Sequence, residues 1–434
     1  MTTTYDPTHS LFTDEADVRG ELQRVFDVCG QCRRCIDHCS SFPTLFDLLD
    51  ALEDGDAGRM TPAQQDHVVD QCHQCKLCEV GCPYTPAQHV LAVDVPRLML
   101  RAVAMQRANG HFDSRERVAS RFLGRTELIG KLATRFPGAA SRIVESAPGS
   151  TSRRAFARFT GVSSQRHFAP FARQRFSSWF RQRPKIRMGK KHAVVTVYPT
   201  CLVEYRATGV GKDLVKVYER NGIECTVSGA QCCGAPLLHS GDLTRFRTVA
   251  AENVAALASE IRAGSSVVVP QPSCGHVIRH DYLDHLGGAE AAFVAENVHD
   301  ASEYLMRIHA ADATVLDTDF DGHVPTTVTY HSASDRPGSA HDRGGRDLLR
   351  LTGTSVRSVR VSSGSQSLWA LRSAHDDTLA VAADRLGEEV ERAGGEIVAG
   401  ACLLSNQVIA EQTGRVPAHP LQVIARAYGF PEER

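Results

Sequence analysis

The sequence predicts an α+β chain: a helical N-terminal domain followed by two related α/β halves with parallel-type sheets. Three observations lead there. The first 108 residues show helical periodicity broken by two runs of cysteine and no strand-like alternation. From residue 192 onward, short buried-type apolar runs alternate with helical stretches, the order of a parallel sheet with helical crossovers. That order recurs from residue 324, a duplication at about 130 residues, too long for a solenoid.

Length and composition suit such a chain. With 434 residues there is room for two or three domains, and 42% hydrophobic residues can bury a sizeable core. The net charge of −1 names no partner. The N-terminus, MTTTYDPTHSLFTDEADVRG, lacks the apolar stretch of a secretory signal, and no run of about 18 apolar residues reads as a membrane span. The expectation is a cytoplasmic protein, peripheral at most on the inner face of the cell membrane. Fourteen cysteines in that setting point to metal use rather than disulfides.

Residues 15–28 read as a helix, with Val18, Leu22, Val25 and Phe26 on one face. Residues 44–53 read as a second. Thr61-Pro62 marks an N-cap and first helical position for a third, running to about Gln71. Residues 87–108 read as a fourth, kinked at Pro96. Two of these helices deliver the cysteine runs. Cys29, Cys32, Cys35 and Cys39 form CxxCxxCxxxC; Cys72, Cys75, Cys78 and Cys82 repeat it, followed by Pro83. This is the bacterial-ferredoxin spacing for 4Fe-4S clusters. A tight turn with a cysteine every third residue reaches three corners of a cubane, and the fourth ligand comes from the other run. That logic assigns Cys29, Cys32, Cys35 and Cys82 to one cluster and Cys72, Cys75, Cys78 and Cys39 to another. Zinc is the alternative, but its knuckles take ligands in pairs and fit a triplet-plus-one poorly. Residues 1–108 are therefore expected to be a helical ferredoxin-type domain with two clusters.

Residues 109–191 differ in composition. From Arg166 to Lys191 there are nine Lys or Arg, no Asp or Glu, and interleaved Phe168, Phe171, Phe176, Trp179 and Phe180. Such a stretch is either a basic-aromatic surface for a partner or an anionic membrane, or a connector whose aromatics lie on the next domain; the connector is the simpler reading. No recognition motif supports nucleic acid.

Residues 192–323 form the first α/β half. His192–Tyr198 and Ile223–Val227 read as strands, with a helix over Val210–Arg220 between them closed by Asn221-Gly222. Leu243–Arg262 reads as a long helix and Ser266–Pro270 as a strand. Cys201, Cys232, Cys233 and Cys274 each fall just beyond a strand. Ligands in parallel sheets sit outside the strands' carboxyl ends, so these four are candidates for a metal or cluster site. Buried structural cysteines are the alternative, although adjacent thiols on a Cys232-Cys233-Gly234 turn fill a core badly.

Residues 324–434 form the second half. Val324–Tyr330, Ser355–Val361 and Glu396–Ala401 read as strands, with helices over Arg346–Leu351 and about 374–393. Laid over the first half, the stretch from Tyr330 to Ser334 replaces the Cys201 region and Ser362-Ser363-Gly364 replaces Cys232-Cys233-Gly234. Cys402 is matched with Cys274. A serine hydroxyl does not become a soft ligand near neutral pH, so the second half is expected to hold no cluster.

These motifs, CGQCRRCIDHC, CHQCKLCEVGCP, YPTCLVEY, GVGKDLVKVYERNGIE, QCCGAPLL and PSCGHVIRHDY, together with YHSASD and AHPLQVIARAYG near the end, carry a resemblance. The chain resembles the CCG-domain iron–sulfur oxidoreductase family. That group includes the iron–sulfur subunits of anaerobic glycerol-3-phosphate dehydrogenase, heterodisulfide reductase, lactate utilisation and glycolate oxidase. The resemblance runs from about Val28 to Tyr428. It implies that Cys201, Cys232, Cys233 and Cys274 are the first CCG domain's metal ligands, for a third iron–sulfur cluster or zinc. It also marks departures: Ser334-Asp335 where the family has Cys-His, serines in place of the second CCG turn, and Cys402-Leu403-Leu404-Ser405 where the family has CxxC.

The expected function is an iron–sulfur electron-transfer subunit, working between a flavoprotein dehydrogenase and an acceptor such as a quinone. Gly209–Asp213 lacks the GxGxxG spacing, so the chain is expected to bind no flavin or NAD of its own. Two alternatives come from other classes: a self-contained disulfide or thiol reductase at the first CCG site, and a docking or scaffold module.

Overall fold

A computed structural model describes residues 4–36, 41–112, 114–184, 190–332 and 340–433. Cys39, Lys185, Arg187, Ser334 and Asp335 lie outside the described residues.

The N-terminal region is helical, as its periodicity requires. Asp14 caps a helix over Glu15–Cys32, accepting a hydrogen bond from the Asp17 N–H. Helices over Ser41–Asp50 and Pro62–Asp70 follow, the latter opened by a capping box between Thr61 and Gln64. Pro96 does not kink the last helix. It lies in the first turn of Val95–Ala108, behind an Asp94 cap, where its missing N–H costs nothing. Residues 87–94, expected to be helical, are turns and extended chain. Leu22, Phe26, Phe42, Leu45, Val68, Leu98 and Met99 build one core, joined by Trp369 and Leu371 from the far end of the chain.

The stretch after residue 109 is not an unstructured linker. It contains helices over Ser114–Leu123, Thr126–Arg135, Pro137–Val144, Thr151–Thr160 and Phe176–Gln182. Its aromatics turn inward: Phe176 is fully buried, and Trp179 and Phe180 pack on the first α/β half. The Arg183 guanidinium stacks over Phe180 at 3.9 Å and pairs with the buried Glu219 carboxylate, so it is not offered to a partner.

The first sheet has strands β1 (Ala193–Val197), β2 (Ile223–Val227), β3 (Ser266–Val269) and β4 (Val298–Asp300), all parallel, in the order β2-β1-β3-β4. The second has β5 (Thr327–His331), β6 (Ser355–Val359) and β7 (Ile397–Gly400), also parallel, in the order β6-β5-β7. The first-entered strand is central in both, so β2-β1-β3 and β6-β5-β7 are the same unit twice. β4 and the helices Leu403–Thr413 and Pro420–Ala427 add to the elements read from the sequence; the last opens on a His419–Gln422 capping box with Pro420 at its first position. No helix among the described residues is long and apolar enough to cross a membrane.

Candidate metal centres

Each cysteine run turns through left-handed backbone. Arg33, directly after Cys32, has φ +52°. Gln74 and Lys76, on either side of Cys75, have φ +56° and +64°. Non-glycine residues pay for that conformation, and such strain collects at functional sites. Here it folds the chain back so that successive thiols face one space.

The first space is a narrow cavity lined by Cys29, Cys32, Cys35, Cys78 and Cys82, with Phe42, Phe46 and Val93 as apolar wall. It gathers the four thiols that the spacing assigns to one cluster. They act on each other: burial, then the Cys35, Cys82 and Cys32 charges, push the Cys29 thiol well up, and burial with Cys82 and Cys32 takes Cys35 to about 11. The second space, also narrow, is lined by Cys72, Cys75 and Cys78. Burial dominates there too and pushes Cys72 up to about 12. Phe42, Cys78 and Val95 border both cavities. Cys39, the expected fourth ligand of the second, lies outside the described residues.

The donor chemistry fits iron–sulfur clusters. Thiols crowded at high pKa are costly to ionise unless a cation takes the sulfurs, and soft thiolates suit iron or zinc. An orphaned group supports the fit: Gln74 at the second cavity is buried, and neither of its amide atoms has a hydrogen-bond partner among the described residues.

The third cysteine group lies at the carboxyl edge of the first sheet. Cys201 follows β1 after Thr200, itself at φ +53°. Cys232 and Cys233 follow β2, and Cys274 follows β3 on the helix Pro272–His276. Gly234 at φ +80° ends the turn, and a Cβ there would stand 3.0 Å from the Phe246 ring. Asn253 fastens the turn: its amide donates to the Gln231 and Cys232 carbonyls at 3.3 and 3.1 Å, and its oxygen accepts from Gln231 N–H at 2.9 Å. The Tyr282 hydroxyl donates to the Cys233 carbonyl at 3.0 Å. From the stretch after residue 109, Glu127 accepts from Cys232 N–H at 3.3 Å.

The four sulfurs form a chain. Cys233 Sγ lies 3.4 Å from Cys274 Sγ. Contact with the Cys201 and Cys233 thiols holds Cys232 well below the ordinary thiol range, while contact with Cys232, and burial, push Cys201 and Cys233 up. Among the described residues no three Cys, His, Asp or Glu side chains are already set around one point as ligands of a single ion.

The second half corrects one match. Ser363 Oγ lies 2.8 Å from Ser405 Oγ, the counterpart of the Cys233–Cys274 contact. Ser405, not Cys402, therefore stands for Cys274. The same alignment places Cys402 opposite Gln271. Those two residues meet: Gln271 Nε2 donates to Cys402 Sγ at 3.3 Å, and Leu403 N–H donates to Gln271 Oε1 at 3.0 Å. Counting from the strand ends would have found this, because Cys274 and Ser405 each come five residues after the last residue of their strand, Val269 and Gly400.

Sequence reasoning missed the charged residues that key the second cysteine run to its surroundings. Lys76 Nζ lies 2.8 Å from both oxygens of Asp281, on the π-helical turn Val277–Asp281 just beyond Cys274. Burial alone would raise the Asp281 pKa, but Lys76 and His276 bring it down to about 2.

Two stretches of the chain match known domain families. Residues 28–85 match the family described as a 4Fe-4S dicluster domain, and residues 195–279 match the cysteine-rich CCG domain. Both stretches are thus similar to iron–sulfur domain families. The C subunit of anaerobic glycerol-3-phosphate dehydrogenase of Escherichia coli (strain K12) is 23% identical over 401 residues, covering 83% of this chain and 99% of that protein. Lactate utilization protein A of Bacillus cytotoxicus is 29% identical over 145 residues, 32% of this chain and 56% of its own length. The CCG match stops at residue 279, short of the second half, where serines occupy the cysteine positions.

Proposed function

We propose that this chain is the iron–sulfur subunit of a dehydrogenase, carrying electrons from a flavoprotein partner to an acceptor such as a quinone. Cys29, Cys32, Cys35 and Cys82 hold one 4Fe-4S cluster, and Cys72, Cys75, Cys78 and Cys39 hold the other. Cys201, Cys232, Cys233 and Cys274 hold a third metal centre, an iron–sulfur cluster ahead of zinc. A bound cluster supplies one-electron carriage at nearly fixed geometry. The protein's part is to hold the sulfurs, exclude water and fix the distance between sites. Residues 1–108 serve as the cluster domain, 109–191 as a basic-aromatic connector, 192–323 as the working CCG half and 324–434 as its serine-substituted partner.

The observation that carries this reading is the Lys76–Asp281 pair. It joins the turn between Cys75 and Cys78 to the turn after Cys274, and both partners are largely buried. A buried ion pair of this kind fixes register between two surfaces. It keeps the second cysteine run and the CCG site at one seam, as an electron relay requires and a reductase acting alone does not. The full-length likeness to a dehydrogenase component supports the same reading.

The test is anaerobic purification of the tagged full chain from its native host. A flavin-containing protein should co-purify, and that protein's substrate should bleach the iron–sulfur absorbance. The competing reading, a disulfide reductase, draws on the acidic, partly exposed Cys232 thiol. Reduction of small disulfides by the metal-loaded chain alone would decide for it.

A further inference from the structure

The second half has serines at the ligand positions yet is packed directly against the second cysteine run. Its Ser362-Ser363-Gly364 turn meets that run, where a Cβ on Gly364 would lie 3.3 Å from His73 Nδ1. The His73 ring lies 4.6 Å from that of His375, tilted by 52°. Residues 371–373 are stitched to 161–163 by an antiparallel bridge between Val162 and Arg372 and by the Ser163 N–H donating to the Leu371 carbonyl at 2.8 Å.

At the centre of this contact lies Arg372, 4% exposed. Its guanidinium lies over the Trp369 ring at 3.8 Å. One end donates to Glu116 at 3.2 Å; the other lies 2.9 Å from His375 Nε2 and 3.5 Å from the Asp70 carbonyl, two residues before Cys72. Glu116 is on the outer side and partly exposed, with a side chain 22% accessible. Water therefore screens the carboxylate more than the guanidinium, and the positive end of the pair lies toward the backbone that leads into Cys72.

We propose that Arg372 is the cation that sets the reduction potential of the cluster held at Cys72, Cys75 and Cys78, and that the second half is retained to supply it. This rests on the cluster assignment above. A four-thiolate cubane is anionic and gains one further negative charge on reduction. A buried guanidinium favours the reduced state and raises the potential, as net charge and hydrogen bonding near such clusters do. Among the described residues the first cavity has no buried counterpart: Arg33 and Arg34 at its wall are both exposed, and Arg33 is engaged with Asp50. The two clusters would then differ in potential, with the second the better acceptor and the one nearer the CCG site.

The experiment is a redox titration of the anaerobically purified full chain, followed by electron paramagnetic resonance. Two 4Fe-4S signals are expected in the wild type; one or none would defeat the cluster assignment rather than this proposal. Arg372→Met keeps bulk and removes charge. It should lower one midpoint by about tenfold in the reduction equilibrium, about 59 mV for one electron, and leave the other in place, with iron content unchanged. Arg372→Lys should hold both midpoints within about threefold of wild type. If Arg372→Met leaves both midpoints unmoved, the proposal is overturned. If Arg372→Met costs the second cluster outright, Arg372→Lys decides: a retained midpoint supports the charge role, and a lost or shifted one overturns it.

Discussion

Individual residues carry the seam between the cysteine-rich elements. Lys76 and Asp281 are largely buried, so removing one partner strands a charge, which costs about 3–5 kcal/mol. Asp281→Asn should lower the chain's denaturant midpoint by that order, and Lys76→Met with Asp281→Leu should recover most of the loss. Equal destabilisation in the single and double variants would show that the pair is not a unit. Cys402 is a different case. Its sulfur accepts one hydrogen bond from Gln271, a role a serine oxygen can fill. Cys402→Ser should leave total metal content unchanged, whereas Cys233→Ser should remove the CCG centre and spare both cubane signals. Metal loss in Cys402→Ser would restore Cys402 as a ligand.

At the scale of elements, the sites depend on a few backbone turns. Gly234 is the clearest: an alanine would sit at φ +80° with its Cβ against Phe246. Gly234→Ala should cost about 1–2 kcal/mol from the left-handed backbone, plus whatever the ring must give, and reduce metal at the CCG site selectively. Loss of the cubanes instead would place the turn's role elsewhere. Much at this scale was legible in the sequence. The helix Leu243–Arg262 shows plainly because its apolar stripe is long and ends at Gly264, and Pro62 and Thr61 announce their helix by capping chemistry. Pro96 misled because a proline inside an apolar stretch reads equally as a kink or a start; Asp94 two residues earlier was the signal for a start. β4, three residues long, is too short to show a period. The inward turn of Phe176, Trp179 and Phe180 was ambiguous because packing against the first half, not local pattern, settles it. The cysteine groups were the most legible part of the site. The polar partners around them were not, since Lys76–Asp281 and Arg372–Glu116 span 205 and 256 residues.

At the scale of the whole molecule, the second cysteine run is the hub. The first half reaches it through Asp281, and the second half through Arg372 and the Gly364 turn. His239 of the first half and Ser367 of the second meet at 2.6 Å beside it. This arrangement gives a duplicated unit two uses, one copy keeping its thiols and the other lending walls and charge. The central claim is that the two cysteine runs hold two crossed cubanes. It is tested most directly by iron and acid-labile sulfide analysis with electron paramagnetic resonance on the anaerobically purified full chain and its Cys29→Ser, Cys72→Ser and Cys39→Ser variants. The runs should account for about eight irons in the wild type, four per cubane. Cys29→Ser should lose one cubane signal, and Cys72→Ser and Cys39→Ser should both lose the other. Zinc in place of iron, a single cubane, or Cys39→Ser losing the same signal as Cys29→Ser would contradict it.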